Sequence, residues 1–276
     1  MRRKAAAFTL IELLVVIGII AVLLSILLPT LAKVRLQALN ANCASNLRQI
    51  VQACQIYAAE NRGCLPPRFR EGKQNYDQPF WSYLVQDIND AKVPRYGLGL
   101  LYELKYAKTE KIFYCPGGRA HPNHNLDEFP QPWMSDKSIN YRTSYAFNPH
   151  YALKTPGDTA SPKLTAYPRI NHKDWKYKAL ALDLISSSEK ISHFSGNEKI
   201  ASWNVAYADG HVTLARSKLV QEEMKKRGRI DDDKGQTSNF NWGLMDDYRD
   251  MLETIADGRG PRDRGGPQPL QNRVKH

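Results

Sequence analysis

The stretch FTLIELLVVIGIIAVLLSILLP, residues 8–29, is the most informative part of this 276-residue chain. Its 21 residues from Phe8 to Leu28 would extend about 30 Å as a helix, which matches the hydrocarbon core of a bilayer. Basic residues at positions 2–4 precede it, so we expect the N-terminus in the cytoplasm and the rest of the chain outside. Glu12 is the one acid in the stretch, and an ionised group at the bilayer centre costs roughly 2.5–3.5 kcal/mol. Glu12 therefore needs a position near the membrane surface or an oppositely charged partner.

The apolar stretch is followed by a longer helical pattern. A secretory signal peptide also begins with basic and then apolar residues, but its apolar region is shorter and ends at a small-residue cleavage site. Here helix-favouring residues resume after Pro29, and Asn61-Arg62-Gly63 gives a stop signal. The sequence therefore predicts one helix of about 50 residues, kinked at Pro29. Its soluble half carries one apolar stripe, Leu39, Cys43, Leu47, Ile50, Cys54 and Tyr57.

This N-terminal segment resembles that of type IV prepilins and type II secretion pseudopilins. The resemblance implies that an inner-membrane prepilin peptidase cuts the chain between Ala7 and Phe8, and that the new amine of Phe8 is methylated. The family usually has Gly before the cut, where this chain has Ala7. Glu12 then occupies the fifth position of the mature chain, where the family has its glutamate. In a filament, the amine of one subunit would pair with Glu12 of its neighbour.

The resemblance also sets the expected organisation and partners. We expect an α+β, pilin-like fold, in which the long helix packs on a small antiparallel sheet with loop-rich insertions. The expected location is the bacterial inner membrane, crossed once, with the globular part in the periplasm. Expected partners are prepilin peptidase, other pilin or pseudopilin subunits, an inner-membrane secretion or pilus assembly platform, and membrane lipid. The predicted segments are a leader (1–7), a transmembrane segment (8–28), the periplasmic half of the helix (29–63), a head (64–220), a charged helical extension (221–257) and a disordered tail (258–276).

The charge of the chain does not favour a nucleic-acid partner. The net charge is +11, but three of these charges precede the apolar stretch and the others are interleaved with acids. No block of five or more basic residues occurs, so we expect no nucleic-acid binding.

The run WNVAYADGHVTLAR, residues 203–216, is the clearest hairpin signal. Asp209-Gly210 between alternating residues predicts a two-residue type I′ turn. That turn would pair Tyr207 with Val212 and Val205 with Leu214, and their shared apolar face would pack against the long helix. Further predicted elements are helices at 81–90 and 98–109 and strands at 111–118 and 176–185.

AYADGHV, residues 206–212, resembles the end of a C-terminal motif in a bacterial subgroup of prepilin-like proteins. The motif is a histidine, nine residues, and then Asp-Gly. The spacing differs here, because His193 lies 16 positions before Asp209. NCASNLRQI and FYCPGG are similar to the CxxNL and CP stretches of the same subgroup.

The four cysteines are expected in an oxidising compartment, where disulfides form. Cys43 and Cys54 lie about 16 Å apart along one helix, too far for a bond to each other. We expect a Cys64–Cys115 disulfide, with Cys54–Cys115 as the alternative. Cys43 is expected to pack as a small apolar residue.

The sequence predicts neither a metal site nor a catalytic site. His193, Asp209 and His211, with Asp183, are suitable ligand types. However, the turn accounts for Asp209 and Gly210, and an exposed cross-strand position accounts for His211. No nucleophile–base pair stands out, so we expect no enzyme activity and no cofactor. Calcium stays as an alternative, because some major pseudopilins bind it in a C-terminal loop, although the acidic run 231–235 lacks the closing glutamate of an EF-hand.

The predicted function is structural. We expect a subunit that prepilin peptidase processes and that assembles into a type II secretion pseudopilus or a type IV-like filament. The alternative is a membrane-tethered periplasmic module whose aromatic loops bind a glycan or a peptide.

Overall fold

The computed structural model describes residues 10–66, 84–86, 95, 97–116, 126–147, 169–170, 179–183, 193–195, 200–218 and 221. The predicted cleavage site at Ala7 and Phe8 lies outside the described residues, as do the acidic run 231–235, the tail and nearly all of the charged extension. The chain divides into two compact units, Met1–Leu39 and Asn40–His276.

Helix α1, Leu10–Glu60, is the longest element and confirms the predicted long helix. It includes Pro29, which has no N–H to donate to the preceding turn. The helix nevertheless continues, and the hydroxyl of Thr30 donates to the carbonyl of Leu27 at 2.7 Å. By length and composition α1 could cross a membrane, because its N-terminal part is strongly apolar and is not buried within the protein.

The C-terminal part of α1 supplies one wall of the core of the second unit. The predicted stripe is buried from Cys43 onward, whereas Leu39 is only half-buried. After Glu60, Arg62 and Gly63 both adopt positive φ, 56° and 80°, and the N–H of Gly63 donates to the carbonyl of Ala58. This geometry ends the helix where the sequence predicts. The buried residues of α1 are Cys43, Leu47, Ile50, Val51, Ala53, Cys54, Tyr57 and Ala58.

Two antiparallel sheets complete the described architecture, which is α+β and pilin-like. β1 (Leu84–Gln86) pairs with β2 (Tyr141–Arg142), and α2 (Gly97–Glu103) packs against β1. The five-stranded sheet has the order β3-β4-β6-β5, and β7 also pairs with β6. Its strands are β3 (Tyr145–Phe147), β4 (Ala179–Asp183), β5 (His193–Ser195), β6 (Ile200–Tyr207) and β7 (Val212–Arg216).

The structure confirms two of the shorter predicted elements and corrects two others. α2 (Gly97–Glu103) overlaps the first half of the helix predicted at residues 98–109, and β4 lies within the strand predicted at 176–185. Residues 84–86, predicted as helix, form β1, because they pair with strand β2. This partner lies 55 or more residues away in sequence, so local residue patterns do not show the pairing. Residues 111–113, predicted as the start of a strand, belong instead to a 3-10 helix, Glu110–Phe113, which the hydroxyl of Thr109 caps by accepting the N–H of Lys111.

The β6–β7 hairpin forms at the predicted place, but the predicted register is wrong by one residue. Ala206 lies opposite Val212, and Val205 lies opposite Thr213. The N–H of Gly210 donates to the carbonyl of Tyr207, and only Gly210 in the turn has positive φ, at 95°. The connection is therefore a three-residue loop rather than a type I′ turn, which needs positive φ at two residues. Ala206, Ala208 and Val212, not Val205 and Tyr207, join the core that α1 contacts.

Aromatic side chains fill the region between α2, the 3-10 helix at 110–113 and β2. The indole N–H of Trp133 donates to the hydroxyl of Tyr114 at 2.8 Å, and its ring stacks on Phe113 with centroids 5.4 Å apart. Trp133 is 4% exposed, so its one polar atom needs this partner. The packing fixes the segment that leads into Cys115, directly after Tyr114.

Candidate functional site

The N-terminal segment of α1 carries the one predicted assembly residue that the structure describes. Glu12 lies in the first described turn of α1 and is exposed. Large apolar residues surround it along the chain, and their side chains are about half or more exposed within the unit. The surface they form is thus apolar on all sides of the helix, which requires lipid or other apolar partners. These residues include Leu10, Ile11, Leu13, Leu14, Val15, Val16, Ile17, Ile19 and Ile20, and the pattern continues to Leu36.

The Asp-Gly-His turn of the predicted C-terminal motif is exposed. The carboxylate of Asp209 accepts the backbone N–H of His211 at 3.1 Å and contacts its Nδ1. The ring of His211 stacks on Tyr207, with centroids 4.2 Å apart. Burial raises the pKa of Asp209, but the backbone and ring N–H groups of His211 outweigh it and hold the pKa below its usual value. These contacts order the turn, and they explain the presence of Asp209 and His211 without a metal or a catalytic role.

The predicted Cys64–Cys115 disulfide is wrong, and so is its alternative with Cys54. Cys115 is joined to Cys43, with a Cα–Cα distance of 5.3 Å. Cys54 is a buried free thiol and Cys64 a half-buried one. Cys43 was expected to pack as an apolar residue. It instead faces Cys115 because the aromatic packing at residues 113 and 114 places Cys115 against that part of α1.

The disulfide is part of a buried polar group that we call the Cys–His–Asp cluster: Cys43, Cys115, Asp183 and His193. Asp183 ends β4 and His193 begins β5, and both strands pair with β6. The Sγ of Cys115 lies 3.2 Å from the Nε2 of His193, and that Nε2 lies 3.6 Å from the Oδ2 of Asp183. One ligand atom from each of the four residues lies within 4.8 Å of the others.

Asn204 on β6 holds the carboxylate of Asp183. Its backbone N–H and its side-chain amide donate to Oδ2 at 2.6 and 2.9 Å. Within the described part of the chain, the buried Oδ1 of Asp183 has no hydrogen-bond partner. Burial raises the pKa of Asp183, and the His193 ring and the two Asn204 donors oppose that rise only in part. The cluster is thus a desolvated site in which one carboxylate oxygen is unsatisfied by any residue that the structure describes.

A tyrosine borders this cluster. Burial and the nearby carboxylate of Asp183 raise the pKa of Tyr145 well above its usual value, and a hydrogen bond from Asn46 opposes this only slightly. The side-chain amide of Asn46 donates to the hydroxyl of Tyr145 at 3.4 Å and to the carbonyl of Tyr114 at 3.1 Å. Tyr145 therefore stays protonated and neutral beside the acid.

Asp183, His193, Asp209 and His211 are all suitable ligand types, but they lie in two different places in the structure. Asp183 and His193 lie in the buried cluster, whereas Asp209 and His211 lie in the exposed turn. The sequence alone does not predict that Cys43, Cys115 and Asn204 belong to this region. A signal for Cys43 was present, because it lies on the buried stripe of α1, but the same signal applies to Cys54.

Comparison with known proteins identifies the N-terminal segment. The prokaryotic N-terminal methylation motif matches residues 2–28. The motif and the long apolar helix support a type IV prepilin-like or pseudopilin-like protein, and they are consistent with a membrane-anchored chain. The match covers 27 of the 276 residues, so it characterises the N-terminal segment alone. Neither the curated proteins nor the solved structures give a match.

Proposed function

We propose that the chain is a structural subunit that prepilin peptidase cuts between Ala7 and Phe8 and that assembles through its apolar helix into a type II secretion pseudopilus or a type IV-like filament. The observation that carries this proposal is the methylation motif at residues 2–28, continuous with a helix whose first part is apolar and unburied. Such a helix is stable in lipid before assembly and against neighbouring helices afterwards. In this proposal the chain has no enzyme activity.

The position of Glu12 supports an electrostatic role in assembly. Cleavage at Ala7–Phe8 would create a positively charged amine four residues before Glu12. A carboxylate within an apolar surface has a large desolvation cost unless an opposite charge neutralises it. Pairing the amine of one subunit with Glu12 of its neighbour removes that cost and sets the axial register between the two helices.

The disulfide supports a periplasmic location for the second unit. Cys43 and Cys115 are bonded, and disulfides persist in the periplasm and are rare in a reducing cytosol. The basic residues before the apolar stretch favour the same orientation. The partners in the proposal are the peptidase, other pilin-type subunits and the inner-membrane platform that assembles them.

The first experiment determines the mature N-terminus. The chain is expressed with and without a prepilin peptidase, and mass spectrometry of the intact protein gives its first residue. We expect Phe8, methylated on its amine, only in cells with the peptidase. An Ala7→Gly variant should be cut at least as efficiently, since glycine is the usual residue in the family. A chain that begins anywhere but Phe8 in peptidase-positive cells contradicts the proposal and leaves a tethered binding module as the alternative.

The second experiment separates assembly from tethering. Glu12→Gln keeps the shape of the side chain and removes its charge, so cleavage should continue while sheared filament material falls at least about tenfold. Ser25→Ala is the matched control within the same span, because the Ser25 hydroxyl bonds to the carbonyl of Val22 in its own helix. Normal filaments from Glu12→Gln would show that this charge does not drive assembly.

A further inference from the structure

The Cys–His–Asp cluster has more polar groups than a structural disulfide needs. A disulfide is held by its own covalent bond and by packing, yet here a histidine and an aspartate lie against it at 3% and 0% exposure. Burying these groups costs free energy, and Oδ1 of Asp183, which has no hydrogen-bond partner among the described residues, adds to that cost. A second state of the cluster, in which all four side chains bind one ligand, would explain why they lie together.

We propose that the Cys–His–Asp cluster binds a Zn²⁺ ion when its disulfide is reduced. Two thiolates, an imidazole nitrogen and a carboxylate oxygen form a tetrahedral donor set that suits Zn²⁺. Zinc–ligand bonds of about 2.0–2.3 Å place neighbouring ligand atoms roughly 3.3–3.8 Å apart. The observed separations, 3.2 Å from Cys115 Sγ to His193 Nε2 and 3.6 Å from that Nε2 to Asp183 Oδ2, are close to this range.

The surroundings of the cluster provide the support that metal ligands need. Asn204 orients the carboxylate of Asp183 through two N–H groups. The four ligand residues come from α1, the segment after the 3-10 helix, β4 and β5, so the fold itself sets their positions. Hydrogen bonds that hold a ligating carboxylate in place are the usual support of protein metal sites.

The disulfide is first reduced and the metal then binds, and each of these two steps is balanced in atoms, electrons and protons. A dithiol reductant gives two electrons and two protons: its own sulfurs become joined, the bond between Cys43 and Cys115 breaks, and both cysteines become thiols. Zn²⁺ then displaces the two thiol protons to solvent and binds both sulfurs, the Nε2 of His193 and an oxygen of Asp183. The disulfide and the metal exclude each other, because each uses both sulfurs.

The test uses the full-length chain in detergent, reduced with a phosphine under anaerobic conditions. A Cys54→Ser/Cys64→Ser double variant serves as the background, so that the only sulfurs from cysteine are Cys43 and Cys115. Co²⁺ is the optical probe, since tetrahedral thiolate coordination gives intense sulfur-to-cobalt absorption. We expect one equivalent of Co²⁺ to bind to the reduced chain, Zn²⁺ to displace it, and the oxidised chain to bind none.

Variants assign the ligands. His193→Ala and Asp183→Asn should each weaken Zn²⁺ binding at least about tenfold in competition with a chelator. His211→Ala is the matched control, because this histidine also contacts an aspartate but lies in the exposed turn. Circular dichroism of the reduced chain should show a higher melting temperature with Zn²⁺ than without it.

Three outcomes would overturn the proposal. One is a reduced chain that shows no thiolate–cobalt absorption, whether it stays folded or not. Another is binding that survives in His193→Ala and Asp183→Asn without loss of affinity. The third is binding that is lost in His211→Ala alone. None of these measurements depends on filament assembly, so they leave the proposed function as it stands.

Discussion

At the scale of single residues, the choice of Cys43 as the partner of Cys115 has a measurable effect on stability. The bond closes a segment with a sequence separation of 72, for which loop entropy predicts about 4 kcal/mol of stabilisation. Cys115→Ser should therefore lower the free energy of unfolding by about 2–5 kcal/mol, whereas Cys64→Ser should change it by less than about 0.5 kcal/mol. Urea unfolding of the oxidised chains in detergent gives both values.

Peptide mapping without reduction provides the control for that prediction. A peptide pair that contains Cys43 and Cys115 should disappear in Cys115→Ser and remain in Cys64→Ser. A cost for Cys64→Ser as large as that for Cys115→Ser would contradict the Cys43–Cys115 bond and favour Cys64 as the partner of Cys115.

The carboxylate of Asp209 gives a pH prediction. Its pKa is lowered in the folded turn, so ionised Asp209 stabilises the turn at pH above the ordinary aspartate value of about 3.9, and this contribution is lost as the pH falls through the lowered value. The effect should be small, because the side chain is 69% exposed. Amide hydrogen exchange checks it: the protection factor of the His211 N–H should fall on acidification in the wild type and be low and flat in Asp209→Ala. A flat, unchanged protection factor in both chains would contradict it.

Residue patterns alone did not determine the cysteine pairing, for a physical reason. Helical periodicity places Cys43 and Cys54 on one buried stripe, and both are 0% exposed in the structure. The choice between them depends on where the aromatic packing of Phe113, Tyr114 and Trp133 places Cys115. That packing involves residues that are distant in sequence, so no local pattern contains it.

At the scale of elements, α1 was predictable and the hairpin register was not. α1 has an apolar stripe and a local stop signal, and both survive in the folded chain. In the hairpin, Asp209-Gly210 fits either a two-residue type I′ turn or a three-residue loop with glycine in the left-handed position. The observed loop lets the side-chain amide of Gln55 on α1 donate to the carbonyl of Ala208 at 2.9 Å, a tertiary contact that local sequence does not show.

The contact between α2 and β1 yields a prediction about glycine. A Cβ on Gly99 would overlap the backbone carbonyl of Val85, and backbone atoms cannot move aside cheaply. Gly99→Ala should therefore lower the free energy of unfolding by about 3 kcal/mol. Gly63→Ala is the matched control: its Cβ would meet no atom within 4 Å, so only its φ of +80° opposes the change, at about 1 kcal/mol. Equal costs for the two variants in denaturant unfolding would mean that α2 and β1 do not approach this closely.

At the scale of the whole molecule, the two units depend on different surroundings. The N-terminal unit, Met1–Leu39, has an exposed apolar surface and carries the methylation motif. The second unit has its own core, in which buried residues of α1 from Cys43 onward contact the sheet and the aromatic cluster. The membrane and filament properties in the proposed function therefore reside in the first unit, and folding stability resides in the second.

This division predicts how truncation acts. A chain that starts at Asn40 behind a cleavable secretory signal keeps the whole buried stripe, so it should be soluble in the periplasm, unfold cooperatively and contain the Cys43–Cys115 bond. It should form no filaments. A chain that starts at Gln52 loses Cys43, Leu47 and Ile50, each 0% exposed, together with buried Val51. Replacing one large core side chain by alanine costs about 2–5 kcal/mol, and the free energy of unfolding of a whole domain is only about 5–15 kcal/mol. This second chain should therefore not fold.

Circular dichroism, thermal unfolding and non-reducing mass spectrometry of the two truncated proteins distinguish the outcomes. A folded chain from Gln52 would show that the C-terminal part of α1 is dispensable for the core. An unfolded chain from Asn40 would show that the apolar unit contributes to folding as well as to anchoring. The expected contrast between the two start sites follows from the positions of the buried residues on α1. None of the buried residues of α1 lies before Asn40, so the core does not require that part of the helix. The four buried residues between Asn40 and Gln52 form the surface on which the sheet and the aromatic cluster pack.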